Sequence, residues 1–352
     1  MSVMKDRSRA VICGAGAAGL VHAITYRATG VDVVGLHDPD GGRVGSLAEM
    51  TGARVCESPA ELFAMDADFV SICSPPASHV HHAIGATNGK RTVFVEKPVA
   101  TTHADLARIA GLRDCVPVVQ WRAGRAIRAI RAAFQQGLFG PSPEVTADLE
   151  WGRDDAYFAA GRATLGGWGC GVLLSVGVHA VDAICWALGR PLIESRGTLG
   201  YRPGLEVETT ALATMRFQGG ARATVRASFD GTNDSTRISF TGGGITAVIE
   251  GAELDPTASR VRWWASDPKV LESLLAIERA SSGGLERPLI VPFLHAAIAA
   301  ARDGARPGET PALPSIESTV DAHRAILDVY AGAVTTRPYL PLPTSRAARS
   351  FG

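Results

Sequence analysis

The first 120 residues alternate short apolar runs with amphipathic segments. Five runs rich in Val and Ile show little polar alternation, as is typical of strands buried on both faces: residues 9–14, 31–37, 67–73, 92–96 and 116–121. The intervening segments 59–65 and 102–112 predict helices, the first with Ser58 as N-cap and Pro59 at its first position. The pattern predicts an α/β fold that begins with a Rossmann-type, doubly wound parallel sheet.

The pattern changes after about residue 140. Residues 211–217 and 221–229 alternate in polarity around Gly219 and Gly220, which predicts a β-hairpin, and residues 236–251 predict a second one. Residues 292–302 and 315–331 predict two closing helices. We therefore expect a dinucleotide-binding domain at 1–122 and, at 123–352, an α+β domain with a large, mainly antiparallel open sheet. A closing helix of this second domain can pack back on the first.

Bulk composition narrows the function classes. A chain of 352 residues favours two domains. Lys plus Arg and Asp plus Glu number 35 each, so no overall field would attract nucleic acid or anionic lipid, and we expect neither as a partner. Six scattered cysteines without a C-x-x-C pair indicate a reducing compartment, and we expect the cytoplasm.

The most apolar stretch, residues 169–189, contains His179 and Asp182 and two interior glycines. Ionisable residues make it a poor membrane span. We expect a buried, strand-like segment that leads into a helix.

A glycine-rich turn follows the first predicted strand and opens a helix. In "GAGAAG", Gly14, Gly16 and Gly19 have the G-x-G-x-x-G spacing, with Ala17 and Ala18 between the last two. These glycines allow a tight turn, close approach to a pyrophosphate and close helix packing, and the helix N-terminus offers N–H groups to the phosphates. The segment is therefore predicted to bind a dinucleotide.

The second predicted strand ends on Asp38, 19 residues after Gly19. An acid at this place binds the adenosine ribose hydroxyls of NAD and repels the 2′-phosphate of NADP. Arg43 lies close by and could accommodate a phosphate, so NAD is the expected cofactor and NADP the less favoured one. The alternative is that residues 38–41 form only a turn.

The strand at 92–95 ends on Glu96, Lys97 and Pro98, although Glu and Lys are rarely buried without partners. Ligands of an open α/β sheet bind at the carboxyl ends of its strands, so Lys97 is predicted to face the nicotinamide. Pro98 fixes the backbone beyond it, and an X-Pro bond in a tight turn can be cis. The preceding strand ends on a second rigid turn at the same edge. The expected cofactor contacts here are Ser74, Pro75, His79, Glu96 and Lys97.

The motifs "GAGAAG", "SPPASH", "VEKP" and "GVLLSVGVHAVD", together with Asp38, resemble the glucose–fructose oxidoreductase, inositol dehydrogenase and rhizopine-catabolism (Gfo/Idh/MocA) family over nearly the whole chain. The resemblance implies that Lys97 hydrogen-bonds the reacting hydroxyl or carbonyl and that His179 donates or accepts its proton. It implies a structural role for Asp182. It also implies a homodimer or homotetramer built through the open sheet.

One position departs from the family. The sugar and inositol dehydrogenases generally carry Asp four residues before the histidine, where this chain has Ser175. On a helix that Asp would face the histidine and raise its proton affinity. Either another carboxylate orients His179, or Lys97 carries more of the proton work. Ser175 remains a predicted substrate contact.

Further candidates each have a structural alternative. Arg122 either lines the active site or starts the solvated arginine face of the helix that follows. Asp154 and Trp168 lie in a segment that either covers the substrate, where Asp suits hydroxyl or amino groups, or forms an exposed loop. The histidines at 79, 81 and 82 lack further ligands at suitable spacing, so we expect no metal site and take His79 as a positioning residue.

Together these features predict an NAD-dependent oxidoreductase that interconverts a secondary alcohol and a ketone on a polyol substrate, namely a sugar, an aminosugar or aminoglycoside, or a cyclitol. Two alternatives remain: an NAD-using glycosidase of the same fold, and a non-catalytic dinucleotide-binding regulator. The presence of both Lys97 and His179 argues against the regulator.

Overall fold

The computed structural model of the protein describes residues 7–163, 170–232, 234–251, 261–281 and 290–336. Two sheets organise these residues, one of six strands and one of eight. Within the described ranges, no helix combines the length and the apolar composition that crossing a membrane requires.

The first sheet is entirely parallel and has the strand order β3-β2-β1-β4-β5-β6. Its strands are β1 (Arg9–Cys13), β2 (Asp32–His37), β3 (Arg54–Val55), β4 (Phe69–Ile72), β5 (Thr92–Val95) and β6 (Cys115–Pro117). Its helices are α1 (Ala17–Ala28), α2 (Gly41–Thr51), α3 (Pro59–Ala64), α4 (His79–Ala86) and α5 (His103–Ile109). The Rossmann prediction is confirmed, with the short edge strand β3 as an addition.

The strand order reverses between β1 and β4, the neighbours from which the sheet grows in opposite directions. A crevice opens at the carboxyl ends of two such strands. The glycine turn follows β1 there, and the turns after β4 and β5 lie at the same edge. The fold thus gathers the predicted cofactor residues at one place.

The second sheet is mostly antiparallel and confirms the predicted α+β fold. Its order is β13-β12-β11-β7-β10-β9-β8-β14, with parallel pairs only at β7–β10 and β8–β14 among the described strands. The strands are β7 (Glu144–Glu150), β8 (Leu192–Gly200), β9 (Thr210–Phe217), β10 (Arg222–Ser228), β11 (Ser235–Gly242), β12 (Ile245–Gly251), β13 (Arg262–Ala265) and β14 (Val334–Thr336). Both predicted hairpins are present, as β9–β10 and β11–β12.

Alternation along these strands divides the sheet into two faces. In β7, Val145, Ala147 and Leu149 are buried in the core. On the opposite face, Arg226 of β10 forms an exposed ion pair with Asp148 at 3.1 Å. One face is therefore apolar and covered by helices, while the other carries charge.

Six helices complete the described fold: α6 (Arg125–Gln135), α7 (Asp155–Ala159), α8 (Val178–Leu188), α9 (Pro268–Ala280), α10 (Ile290–Arg302) and α11 (Val320–Gly332). Helix α10 packs on the first domain, where Phe293 and Leu294 join the core around α1. Helix α11 lies between the two domains, because Ile326 belongs to the second core and Leu327 to the first. Two helices from beyond the predicted boundary at residue 122 therefore pack on the first domain.

The apolar stretch before His179 is helical rather than strand-like, which corrects the prediction for this segment. A π-helix runs over Leu173–Gly177 and continues directly into α8. A fully buried apolar run does not distinguish a strand from a buried helix by its pattern. Contacts with other parts of the protein decide between strand and helix. Here the N–H of Val172, just before the π-helix, donates a hydrogen bond to the carbonyl oxygen of Glu208 at 3.0 Å.

Candidate active site

The glycine turn has no room for a side chain at Gly14 or Gly19. A Cβ atom on Gly14, whose φ is +106°, would lie 2.3 Å from the carbonyl oxygen of Cys73, and one on Gly19 would lie 2.0 Å from that of Gly14. Gly16 is the N-cap of α1 and has no side chain to bond the first N–H groups, and the first turn carries no acidic residue. These N–H groups and the positive end of the helix dipole suit a pyrophosphate.

Asp38 lies where β2 ends and is nearly buried. Its Oδ2 accepts a hydrogen bond from the N–H of Ala15 at 2.7 Å, and its Oδ1 accepts one from the N–H of Asp40 at 2.9 Å. The carboxylate thus ties the glycine turn to the loop after β2 and keeps lone pairs for ribose hydroxyls. Arg43 is held by an ion pair with Asp40 at 3.2 Å.

Lys97 follows β5 in a turn with a cis peptide bond between Lys97 and Pro98. Its ammonium group crosses to the second domain, where Nζ donates a hydrogen bond to the carbonyl oxygen of Ser175 at 3.1 Å. Ser175 lies in the π-helix, four residues before His179. The turn after β5 and the helix of His179 therefore converge, although they are far apart in sequence.

The π-helix has a consequence for Lys97. Single π-turns within α-helices shift the hydrogen-bond pattern from i+4 to i+5 and are frequent at functional sites. Here such a turn carries the carbonyl that accepts from Lys97, while the hydroxyl of Ser175 donates to the carbonyl of Gly171 at 2.9 Å. Ser175 therefore contacts the catalytic candidate through its backbone.

His179 is buried between two tryptophans. Its ring stacks on Trp121 at a centroid distance of 5.1 Å and on Trp151 at 6.4 Å. Burial, and secondly the positive charge of Lys97, hold the pKa of His179 well below its usual value. Near neutral pH the imidazole is therefore uncharged, with a lone pair on one ring nitrogen.

The question left by Ser175 is whether another carboxylate orients His179. Among the described residues, no carboxylate forms a hydrogen bond or ion pair with the ring of His179, and the two tryptophans hold it instead. A buried carboxyl group does lie at the start of the same helix. Oε1 of Glu208 accepts from the N–H of Leu173 at 2.9 Å and from the hydroxyl of Tyr330 at 2.7 Å. Burial raises the pKa of Glu208 to about 7.

His79 bridges the two rigid turns. Its Nδ1 lies 2.8 Å from the carbonyl oxygen of Pro98, and its Nε2 lies 2.7 Å from that of Ser74. Both ring nitrogens face the protein interior, so any effect of His79 on a cofactor passes through these turns. Ser74 and Pro75 are half-buried at the edge of the crevice, and the hydroxyl of Ser74 lies 2.8 Å from Nδ1 of His82. Their cofactor contacts stay predictions.

Arg122 has internal partners. Its guanidinium is 3% exposed and forms a bidentate ion pair with Asp182, with Nε 2.6 Å from Oδ2. The other donors bond the hydroxyl of Ser318 at 2.7 Å and its carbonyl at 2.8 Å. These partners occupy the guanidinium, so Arg122 joins the two domains internally, and its substrate contact stays a prediction.

Of the remaining candidates, one caps a helix and the other lies outside the described residues. The carboxylate of Asp154 caps α7 by accepting from the N–H of Tyr157 at 3.0 Å and is otherwise exposed. Trp168 lies outside the described residues. Three residues of this site were not predicted, because neither an isolated aromatic residue nor an isolated Glu carries a motif: Trp121, Trp151 and Glu208.

Comparison with known proteins covers both domains. Residues 8–114 match the family model described as "Oxidoreductase family, NAD-binding Rossmann fold", and residues 127–246 match the Gfo/Idh/MocA C-terminal domain. The chain is 30% identical to D-glucoside 3-dehydrogenase of Escherichia coli over 206 residues, which are 53% of this chain and 56% of that relative. It is 30% identical to inositol 2-dehydrogenase 3 of Saccharopolyspora erythraea over 131 residues, 36% of either chain. The matches thus span from about a third to just over half of these relatives.

Similarity of fold extends further. The WlbA dehydrogenase from Bordetella pertussis, crystallised with NADH and UDP-GlcNAcA, superposes with a TM-score of 0.78 over 94% of this chain and 96% of its own, at 22% identity. Its fold is therefore shared nearly end to end. Together with the two family models, this confirms the NAD-binding Rossmann domain and the resemblance inferred from the motifs. The chain belongs to the Gfo/Idh/MocA family of oxidoreductases.

Proposed function

We propose that the protein is an NAD-dependent dehydrogenase that oxidises a secondary alcohol of a sugar, an aminosugar or a cyclitol to a ketone, or catalyses the reverse reaction. The observation that carries the proposal is the convergence of Lys97 and His179. The Lys97 ammonium binds the π-helix carbonyl of Ser175 at 3.1 Å, and its charge acts on the buried imidazole of His179. A hydrogen-bond donor and a neutral base are thereby placed together beside the cofactor edge of the sheet.

Each residue has a defined part. The glycine turn and Asp38 hold the dinucleotide, and NAD when bound supplies the hydride acceptor. Lys97 donates a hydrogen bond to the reacting oxygen and, as the carbonyl forms, stabilises its partial negative charge. His179 accepts the hydroxyl proton at a ring nitrogen.

The site supports a saccharide-like ligand. Trp151, which stacks on the proton acceptor, is half-buried, and aromatic rings pack well on the apolar faces of sugar rings. Arg153, beside Trp151, is in ion-pair contact with Asp234 at 3.3 Å. The named relatives act on inositol and a D-glucoside, and the structural neighbour binds UDP-GlcNAcA. These three compound classes define the first substrates to test.

The test is a panel of inositols, D-glucosides and UDP-linked aminosugars incubated with NAD, read as NADH absorbance at 340 nm and by mass spectrometry of the sugars. Net NADH formation with a ketone product supports the dehydrogenase. Cleavage of a glycoside without net NADH supports the NAD-using glycosidase, and NAD binding without turnover of any compound supports the regulator.

Lys97→Ala separates chemistry from binding. We expect turnover to fall by about a hundredfold or more, because general acid–base and hydrogen-bond assistance contributes factors of this size. NAD affinity, measured by calorimetry, should stay nearly unchanged. Lys90→Ala is the matched control, since Lys90 is exposed and remote from β5's carboxyl end. Equal activity of wild type and Lys97→Ala would remove Lys97 from the mechanism.

A further inference from the structure

A chain of four buried polar side chains lies behind Lys97. The hydroxyl of Tyr26 lies 2.8 Å from Oγ of Ser71, which lies 2.7 Å from Nδ1 of His22, and Nε2 of His22 lies 3.3 Å from Oε1 of Glu96. None of the four is more than 5% exposed. Buried polar groups are costly unless paired, so the direction of each hydrogen bond matters.

The direction follows from the two ends. Although burial alone would raise the pKa of Glu96, the hydrogen bond from His22 and the charge of Lys97 lower it, so Glu96 is an ionised acceptor. Burial raises the pKa of Tyr26, so its phenol keeps its proton and donates. Nε2 of His22 must then carry a hydrogen toward Glu96, and Nδ1 accepts from the hydroxyl of Ser71, which in turn accepts from Tyr26. All donors in this series point toward the carboxylate.

The reverse direction fails at the far end. A doubly protonated His22 would donate from Nδ1 to Ser71, and Ser71 would donate to Tyr26. The phenol would then need a further acceptor, and none is seen for it among the described residues. The neutral Nε2–H form of His22 therefore satisfies every group in the chain.

This series of hydrogen bonds ends on the backbone of Lys97. Oε2 of Glu96 accepts a hydrogen bond from the N–H of Lys97 at 3.2 Å. The next two residues are held separately: the carbonyl of Pro98 by His79 at 2.8 Å, and the N–H of Val99 by Nε2 of His323 at 3.0 Å. Of the described groups that hold residues 96–99, only His22 acts through the carboxylate beside Lys97.

We propose that His22 is a positioning residue for Lys97: by donating from Nε2 to Glu96, it fixes the turn from which Lys97 reaches the reacting oxygen. The inference rests on the proposed function and adds a residue of α1 to the site. Ser71 and Tyr26 hold His22 in the tautomer that this role needs, because a donor to Nδ1 leaves the ring hydrogen on Nε2.

The kinetic test compares His22→Leu, which removes both ring nitrogens, with His22→Gln, whose amide can still donate to Glu96. Thr25→Val is the matched control, since the Thr25 hydroxyl is buried on the same helix and bonds only the carbonyl of Val21 at 2.8 Å. We expect kcat of His22→Leu to fall about ten- to a hundredfold, as for a misplaced reacting group. The KM for NAD should change by less than about twofold, with partial recovery in His22→Gln. Equal kcat in His22→Leu and Thr25→Val would overturn the proposal.

Two measurements need no substrate, so they separate this inference from the proposed function. The first is competitive modification of lysines by acetic anhydride, read by mass spectrometry, with the exposed Lys90 and Lys269 as internal references. Relative to these, Lys97 should react roughly two- to tenfold faster in His22→Leu than in wild type, the factor for loss of one net hydrogen bond. An unchanged ratio would count against a positioning role.

The second is ¹⁵N NMR of the histidine rings in the wild-type protein, with His22 assigned by its absence from His22→Gln. The proposal expects the neutral Nε2–H tautomer at pH 7. A neutral Nδ1–H tautomer, or an imidazolium, would refute the direction of the chain and with it the assigned role, whether or not a substrate is found.

Discussion

The ion pair between Arg122 and Asp182 allows a sharp test of how the two domains are joined. Both side chains are buried, with exposures of 3% and 1%, and Asp182 also accepts from the hydroxyl of Thr319 at 2.6 Å. Asp182→Ala would leave a guanidinium buried beside one hydroxyl and one carbonyl, with no counter-charge. Removing one partner of a buried pair costs about 3–5 kcal/mol, so the free energy of unfolding should fall by about 4 kcal/mol.

Unfolding in urea, followed by circular dichroism, measures this loss, and a thermal scan should show a decrease in Tm of roughly 5 °C. Two controls bracket the result. Arg226→Ala breaks an exposed ion pair with Asp148 and should cost no more than about 1 kcal/mol. Arg122→Met combined with Asp182→Leu removes both charges and should recover most of the loss.

A loss below about 1 kcal/mol in Asp182→Ala would refute the reasoning. The double variant also tests whether Arg122 is required for substrate binding. If it folds and still produces NADH, Arg122 is not required for substrate binding. If it folds with full stability but has lost activity, the internal role described above is incomplete.

Three further predictions concern the cofactor site and titration. Gly19→Ala should weaken NAD binding by calorimetry at least about tenfold and destabilise the fold by about 1–3 kcal/mol, because its Cβ would meet the carbonyl of Gly14, whereas Gly41→Ala, with open space around it, should do neither. Asp38→Ala should raise the Kd for NAD more than that for NADP; an unchanged ratio would contradict the ribose assignment. The raised pKa of Glu208 stabilises the fold below pH 4.5, and this contribution is lost as pH rises through about 7. Glu208→Gln should therefore gain up to about 3 kcal/mol over wild type between pH 4.5 and 8, measured from the pH dependence of unfolding, and parallel curves would contradict the buried carboxyl.

Much of the first domain could be predicted because its information is local. Each buried strand appears as an apolar run, and the glycine turn, Asp38 and the Glu96–Pro98 turn follow these runs directly. In the second sheet, the two hairpins were predicted from glycines between alternating strands. Strand β7 was not, although its polar and apolar residues alternate, because its sheet partners β10 and β11 are distant in sequence and no hairpin turn joins it to a neighbour.

What could not be predicted depends on partners distant in sequence. The pairing of His22 with Glu96 joins residues 74 positions apart, and nothing near either residue indicates the other. A buried Glu at a strand end signals only that some donor must exist. The π-helix before His179 likewise depends on Glu208, which bonds Leu173 from 35 positions away. The prediction for Arg122 rested on its position after a strand, whereas the ion pair with Asp182 determines where its side chain lies.

The bond between Val99 and His323 spans 224 positions along the chain. During synthesis, the N–H of Val99 therefore cannot bond His323 until α11 has been made. We expect a ribosome-bound or proteolytic fragment that ends before α11 to form the glycine turn but not the complete turn that carries Lys97. Chimeras that graft this nucleotide-binding half onto another partner domain should consequently carry α11 along, since the turn that bears the reactive amine and α11 form one structural unit.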